Sequence, residues 1–136
     1  YWKTLYKNSS QDIFFITTLD RAPEFVAAVN KEAQRAKLAV SSIGVYIQPI
    51  QQGRNVHMEF NLMYPADDAV AVKKVKAFHK AASERCMDMG GFFNRPYGPW
   101  AEMVYKRCPD TVAALHKIKS IFDPNRVMNP GKLCYG

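Results

Sequence analysis

Three hydrogen-bonding side chains recur at every second position in the segment Val56 to Tyr64: His57, Glu59 and Asn61. On a strand, residues at i, i+2 and i+4 share a face, which sets these three in a line about 7 Å from one to the next. An imidazole, a carboxylate and an amide in line can accept, donate and relay protons, and the same pattern also describes a solvated sheet surface. A second candidate is the loop Gly90 to Trp100, where Phe92, Phe93, Tyr97 and Trp100 surround Arg95. A guanidinium is a rigid fork of donors suited to a carboxylate or phenolate, and aromatic neighbours lower the polarity in which it acts. Tyr97 and Trp100 would then help to bind the substrate that Arg95 clamps. The structural alternative is an arginine that ties its loop to a carboxylate.

These groups need a scaffold, and the hydrophobic pattern supplies one. Ile13 to Leu19 is a short apolar, β-branched run that predicts a strand. Asp20 and Pro23 open a helix to about Lys37 with Phe25, Val26, Val29, Ala33 and Ala36 inward. Ser42 to Ile47 alternates, Gln51 to Asn55 reads as a hairpin-type loop, and Val56 to Tyr64 alternates with Met58, Phe60 and Leu62 opposite the polar line. Pro65 to Asp68 starts a second helix whose buried face is Ala71, Val75, Phe78, Ala82 and Cys86, stopped at Gly90-Gly91. Phe92 to Arg95 is expected as a last short strand, followed by a helical piece from Trp100 to Arg107. The order β-α-β-β-α-β predicts an α+β, ferredoxin-like antiparallel sheet with helices on one face, plus C-terminal helices and an extended tail. Residues 1–12 read as a connector, 13–108 as the ferredoxin-like portion, and 109–136 as the terminal helix and tail.

The chain of 136 residues is 48% hydrophobic and can bury one core. Its net charge of +7 admits an anionic partner, but the lysines are dispersed, and the one cluster, Lys73, Lys74, Lys76 and Lys80, is read as a solvated helix face. Cys86, Cys108 and Cys134 lack the spacing of a disulfide framework or a zinc site and read as reduced thiols, which suggests the cytoplasm, with the periplasm left open. No apolar run is long enough to span a bilayer.

The C-terminal stretch is the most specific. Asp110 is placed as a helix N-cap, and Val112, Leu115, Ile118 and Phe122 recur at helical spacing. Pro124 then ends the helix, and two turns follow at Asp123-Pro124-Asn125 and Asn129-Pro130-Gly131. The composite, from Ile121 to Lys132, resembles the closing signature of FAD-linked oxidases of the vanillyl-alcohol oxidase and p-cresol methylhydroxylase type. The resemblance implies the later part of a cap, or substrate, domain whose tail returns to an FAD-binding domain outside this chain.

It further implies that FAD is held mainly by that domain, since no glycine-rich phosphate cradle occurs here, with Asn129 and Lys132 nearest the cofactor. The whole enzyme would oxidise an alcohol or a substituted, phenolic or other, aromatic compound by hydride transfer to flavin, and this chain alone would be inactive. Arg95 would clamp the small-molecule substrate, Asn61 would help bind it, and His57 and Glu59 would handle protons. Asn94 stands where relatives that bind phenols carry an aromatic residue. A cytochrome or another electron acceptor and a homo-oligomer fit the same picture. The metal pattern of lactate- and glycolate-type relatives is missing, so no metal is expected. The competing expectation is a free-standing basic module for RNA or another polyanion. It lacks the aromatic and basic motif of RNA-binding sheets.

Overall fold

The computed structural model describes residues 9–132; Cys134 and the first part of the expected connector lie outside the described residues. The chain divides into two compact units between Asn94 and Arg95.

In the first unit, β1 (Ser9–Thr18), α1 (Ala22–Arg35), β2 (Ile43–Ile50), β3 (Asn55–Tyr64) and α2 (Ala69–Asp88) follow in order. The sheet runs β1-β3-β2, and both pairings are antiparallel. Helix α1 therefore leads from β1 to β2, and β3 returns between them, as the α+β reading requires.

Register fixes the faces. Ile13 opposes Phe60, Phe15 opposes Met58 and Thr17 opposes Val56, and all six are buried. They point toward the helices: the Phe15 ring lies 4.8 Å from Phe25 of α1 and 6.3 Å from Phe60 between centroids. Phe25, Val29 and Ala33 of α1, together with Val75, Phe78, Ala82 and Cys86 of α2, complete this layer at helical spacing. Each large side chain buried here contributes about 1.5–3 kcal/mol of transfer free energy, which makes the Phe15 cluster the centre of the unit. At the start of α2 the Asp68 carboxylate accepts hydrogen bonds from the Val70 and Ala71 amides at 2.8 and 3.0 Å. The acidic prelude expected at the positive end of the helix thus also supplies its side-chain cap.

Several elements differ from expectation. Strand β1 starts earlier, at Ser9, and β2 continues through Pro49 to Ile50. Asp20 falls in a 3-10 turn, Leu19–Arg21, so the cap position of α1 passes to Arg21. The expected fourth strand contracts to a single bridge: Ile16 and Phe92 exchange two backbone hydrogen bonds of 2.9 Å each. Its place on the outer edge of β1 is that of the last strand of a ferredoxin-like sheet. Gly91 fits tightly there, because an added Cβ would lie 2.9 Å from both the Cys86 carbonyl oxygen and the Phe15 ring.

The second unit contains α3 (Pro99–Tyr105) and α4 (Pro109–Phe122). Gly98 opens α3 at φ 55°, a left-handed conformation that suits glycine. Asp110 lies in the first turn of α4; the cap position is held by Cys108, without a side-chain bond. Among the described residues α4 has no fully buried side chain, and Ile118, Ile121 and Phe122 stay exposed. The periodicity of α4 marks an apolar face of which Val112 and Leu115 are half-buried while Ile118 and Phe122 stay exposed, so the described chain covers it only in part.

Candidate functional site

The sheet face turned away from α1 and α2 carries the polar line. His57 opposes Ile16 and Gln48, Glu59 opposes Phe14 and Tyr46, and Asn61 opposes Asp12 and Gly44. The three residues foreseen in β3 are therefore joined by partners from both neighbouring strands.

Asn61 is the hub. It is 1% exposed, and its Nδ2 group donates to the Asp12 carboxylate at 2.9 Å and to the Glu59 carboxylate. Asp12 Oδ1 also accepts from the Ser10 hydroxyl at 2.8 Å. An amide is well suited to this place, because its two N–H donors can serve two acceptors that would otherwise repel each other. Glu59 reaches onward to His57, with Oε2 3.7 Å from Nε2. The His57 ring lies 5.8 Å from Phe14 and 6.5 Å from Tyr46, centroid to centroid. A row of Asp12, Asn61, Glu59 and His57 thus runs across the face, with an aromatic ring on each side of the imidazole. Phe92, bridged beside Ile16, adds a further ring at the edge of this face and is 65% exposed.

Beneath the row, on the helical side, His79 of α2 is buried and its Nε2 lies 3.2 Å from the Asp12 carbonyl oxygen. Burial lowers its pKa, while the Asp12 carbonyl and the Asp12 charge act in the opposite direction. The backbone that presents the Asp12 carboxylate is thereby fixed to α2.

The remaining sequence candidates lie in the second unit. Arg95 is exposed and begins it. Tyr97 is also exposed, whereas Trp100 is buried, with its ring 5.6 Å from that of Tyr97. The exposure of Arg95 and Tyr97 differs from the closed aromatic collar that composition suggests. Asn129 and Lys132 are exposed and line a hollow of about 290 Å³ with Ile118, Lys119, Phe122, Asp123 and Met128. Asp123 holds this end together: it pairs with Lys119 and accepts from the Val127 and Met128 amides at 2.9 and 3.0 Å. The Lys119 ammonium, and then the two amides, hold its carboxyl below the usual carboxylate range.

Sequence reasoning missed Asp12, Phe14 and Tyr46. The signal was present for Tyr46, which alternates opposite Ile43, Val45 and Ile47. Asp12 was read as connector, and only the β1-β3 register brings it to Asn61. Among the described residues no three His, Cys, Asp or Glu side chains converge to ligate an ion, and no helix is long and apolar enough to cross a membrane.

The described chain is thus an antiparallel α+β unit with a polar row on one sheet face and, in the second unit, a helix followed by a proline turn that Asp123 clamps. Residues 15–133 match the family described as FAD linked oxidases, C-terminal domain. The chain belongs to that family, which makes it part of an FAD-linked oxidoreductase and implies an FAD-binding domain as its partner.

Proposed function

We propose that this chain is the substrate-side portion of a flavoenzyme that oxidises an alcohol or a substituted aromatic compound, and that the row Asp12, Asn61, Glu59 and His57 forms one wall of the substrate cavity. The observation that carries this reading is the clustering of two carboxylates, a buried amide and an imidazole in one row, with the rings of Phe14 and Tyr46 on either side of the imidazole. Aromatic rings bracket a flat substrate, and the polar groups orient the carbon that loses hydride. The flavin, when bound, supplies the hydride acceptor. Glu59 and His57 hold or move the proton released from the substrate hydroxyl, Asn61 keeps Glu59 in place, and Arg95 with Tyr97 and Trp100 holds an anionic or phenolic end.

FAD fits this chain only at an edge. Asn129 and Lys132 beside the apolar hollow supply an amide and a cation for contact with a cofactor cradled by the partner domain. The division of labour proposed is a substrate portion from β1, which takes in Asp12, to residue 108, and a returning segment over 109–136. Two carboxylates within one face weigh against a polyanion as ligand.

The test uses the whole flavoenzyme. Glu59→Gln and His57→Gln should lower the rate of flavin reduction by substrate by about 10²-fold or more, the usual range for losing a general acid or base, with FAD content unchanged. Arg95→Ala should raise the substrate concentration needed for half-maximal reduction. Unchanged reduction rates in both β3 variants would refute the assignment, and loss of FAD with an unchanged reduction rate per remaining bound flavin in the Arg95 variant would move that residue to the cofactor.

A further inference from the structure

The polar row begins at a residue whose main chain is turned away from the β1-β3 ladder. Ile16 and Phe92 exchange two backbone hydrogen bonds, so the N–H and C=O of Ile16 point away from β3. Peptide groups alternate along a strand, and those of Phe14 and Asp12 therefore point the same way as those of Ile16. Asp12 and Asn61 are then a non-hydrogen-bonded pair, the kind whose facing side chains stand closest, which suits the 2.9 Å bond between the Asn61 amide and the Asp12 carboxylate. The same geometry denies the Asp12 carbonyl a donor from β3. A buried-side carbonyl in that position needs a donor from elsewhere.

His79 supplies that donor. The side chain is buried in α2, with Nε2 3.2 Å from the Asp12 carbonyl oxygen. A carbonyl only accepts, so the proton of this bond sits on Nε2, and burial favours the neutral ring. A connection consequently crosses the sheet. It runs from α2 to the Asp12 main chain, from the Asp12 carboxylate to Asn61, from Asn61 to Glu59, and onward to His57, whose Nε2 is 3.7 Å from Glu59 Oε2. Every member lies in the first compact unit.

We propose that His79 is a positioning residue for the reaction at the polar row: as the Nε2–H tautomer it fixes the Asp12 main chain from the helical side, and through Asn61 it sets where Glu59 stands. The inference rests on the substrate-side reading of the row proposed above. His79 itself lies on the other side of the sheet and acts through its neighbours. Without its donor the Asp12 carbonyl must find another partner, and the strand segment that carries the carboxylate turns with it. Asn61 donates to Asp12 and Glu59 at once, so a displaced Asp12 is felt at Glu59. Leucine at position 79 is close to histidine in volume and offers no donor, whereas glutamine keeps a donor at about the reach of Nε2.

The test is made in the whole flavoenzyme by stopped-flow reduction of the flavin. His79→Leu should slow the limiting rate by at least about tenfold at unchanged FAD content, because misplacing a reacting group by about 1 Å can cost about 10²-fold, and His79→Gln should recover most of the rate. In an Asn61→Ala background, where the link to Glu59 is cut, His79→Leu should add less than about a twofold loss; a residue that only supports the fold would multiply the two losses. NMR of histidine-labelled enzyme should show the signal that His79→Gln removes to be protonated at Nε2 and not at Nδ1. Should His79→Leu fail to fold, that tautomer and the rate of the glutamine variant decide. A normal rate in His79→Leu beside slow Glu59→Gln and His57→Gln enzymes, losses that multiply in the Asn61→Ala background, or a proton on Nδ1 would each overturn the proposal. Full rates in Glu59→Gln and His57→Gln would instead sink the substrate-side reading, and a shift of the Asn61 side-chain amide signals in His79→Leu would then show the link across the sheet to exist without that reaction.

Discussion

Replacing Asn61 by aspartate tests whether the amide holds two carboxylates together. Asn61 Nδ2 lies 2.9 Å from the Asp12 carboxylate and also donates to Glu59, and the residue is 1% exposed. Asn61→Asp removes both donors and adds a third carboxylate. Like charges about 4 Å apart repel by about 4 kcal/mol at an effective dielectric constant near 20. The variant can escape by taking up a proton, and protonating a carboxyl of ordinary pKa near 4 at pH 7 costs about 4 kcal/mol as well. Either route predicts a loss of about 4 kcal/mol at pH 7. At pH 4 the proton comes almost free and the acid can donate one bond itself, so the loss should fall to about 1–2 kcal/mol. Asn61→Ala, which removes donors but adds no charge, should cost about 2–3 kcal/mol at pH 7. Urea unfolding followed by circular dichroism, for all three proteins at both pH values, measures this directly. An Asn61→Asp protein within 1 kcal/mol of the parent at pH 7, or an equal loss at both pH values, would refute the bridging role, those limits lying well outside the error of extrapolation.

Further outcomes follow from buried groups. His79 has a pKa lowered by burial, so the unfolded chain takes up a proton first; stability is fully present above the unfolded value near 6.5 and is lost as pH falls below it, a slope that His79→Gln should flatten in pH-dependent denaturation. Gly91→Ala should destabilise the first unit by about 1–3 kcal/mol, as added volume does in a packed site, and a melting temperature unchanged from the parent would contradict the tight fit against Phe15. The Cys86 thiol, pushed up to about 12 chiefly by burial, should resist alkylation at pH 8 in the folded chain and react on unfolding, whereas the less buried Cys108 should react first; peptide mass spectrometry separates the two.

Local pattern carried much of this architecture. Alternation in β3 places His57, Glu59 and Asn61 on one face, and the carboxylate before α2 is its cap. What it could not supply was register. Asp12 and Asn61 lie far apart in the chain, and whether Asp12 belongs to a connector or a strand depends on its pairing with β3. The fourth strand misled because Phe92-Phe93 has strand composition, while Gly90-Gly91 before it and Pro96 after it leave room for one bridge. Helix α4 shows another limit: spacing identifies Ile118 and Phe122 as one face, but periodicity says nothing of what covers them.

The Asp123 carboxylate also sets the shape of the surface around it. A single side chain gathers Lys119 from the helix and two amides from the segment beyond it. The backbone leaving α4 is therefore shaped by contacts within its own unit, while Ile121, Phe122, Val127 and Met128 along it remain exposed. Such a surface is preorganised: a body that lands on it meets a form already set, and little ordering entropy remains to be lost on contact. Encounter there should resemble the meeting of two rigid surfaces rather than coupled folding and binding, with the carboxylate of Asp123 keeping the template in shape between encounters.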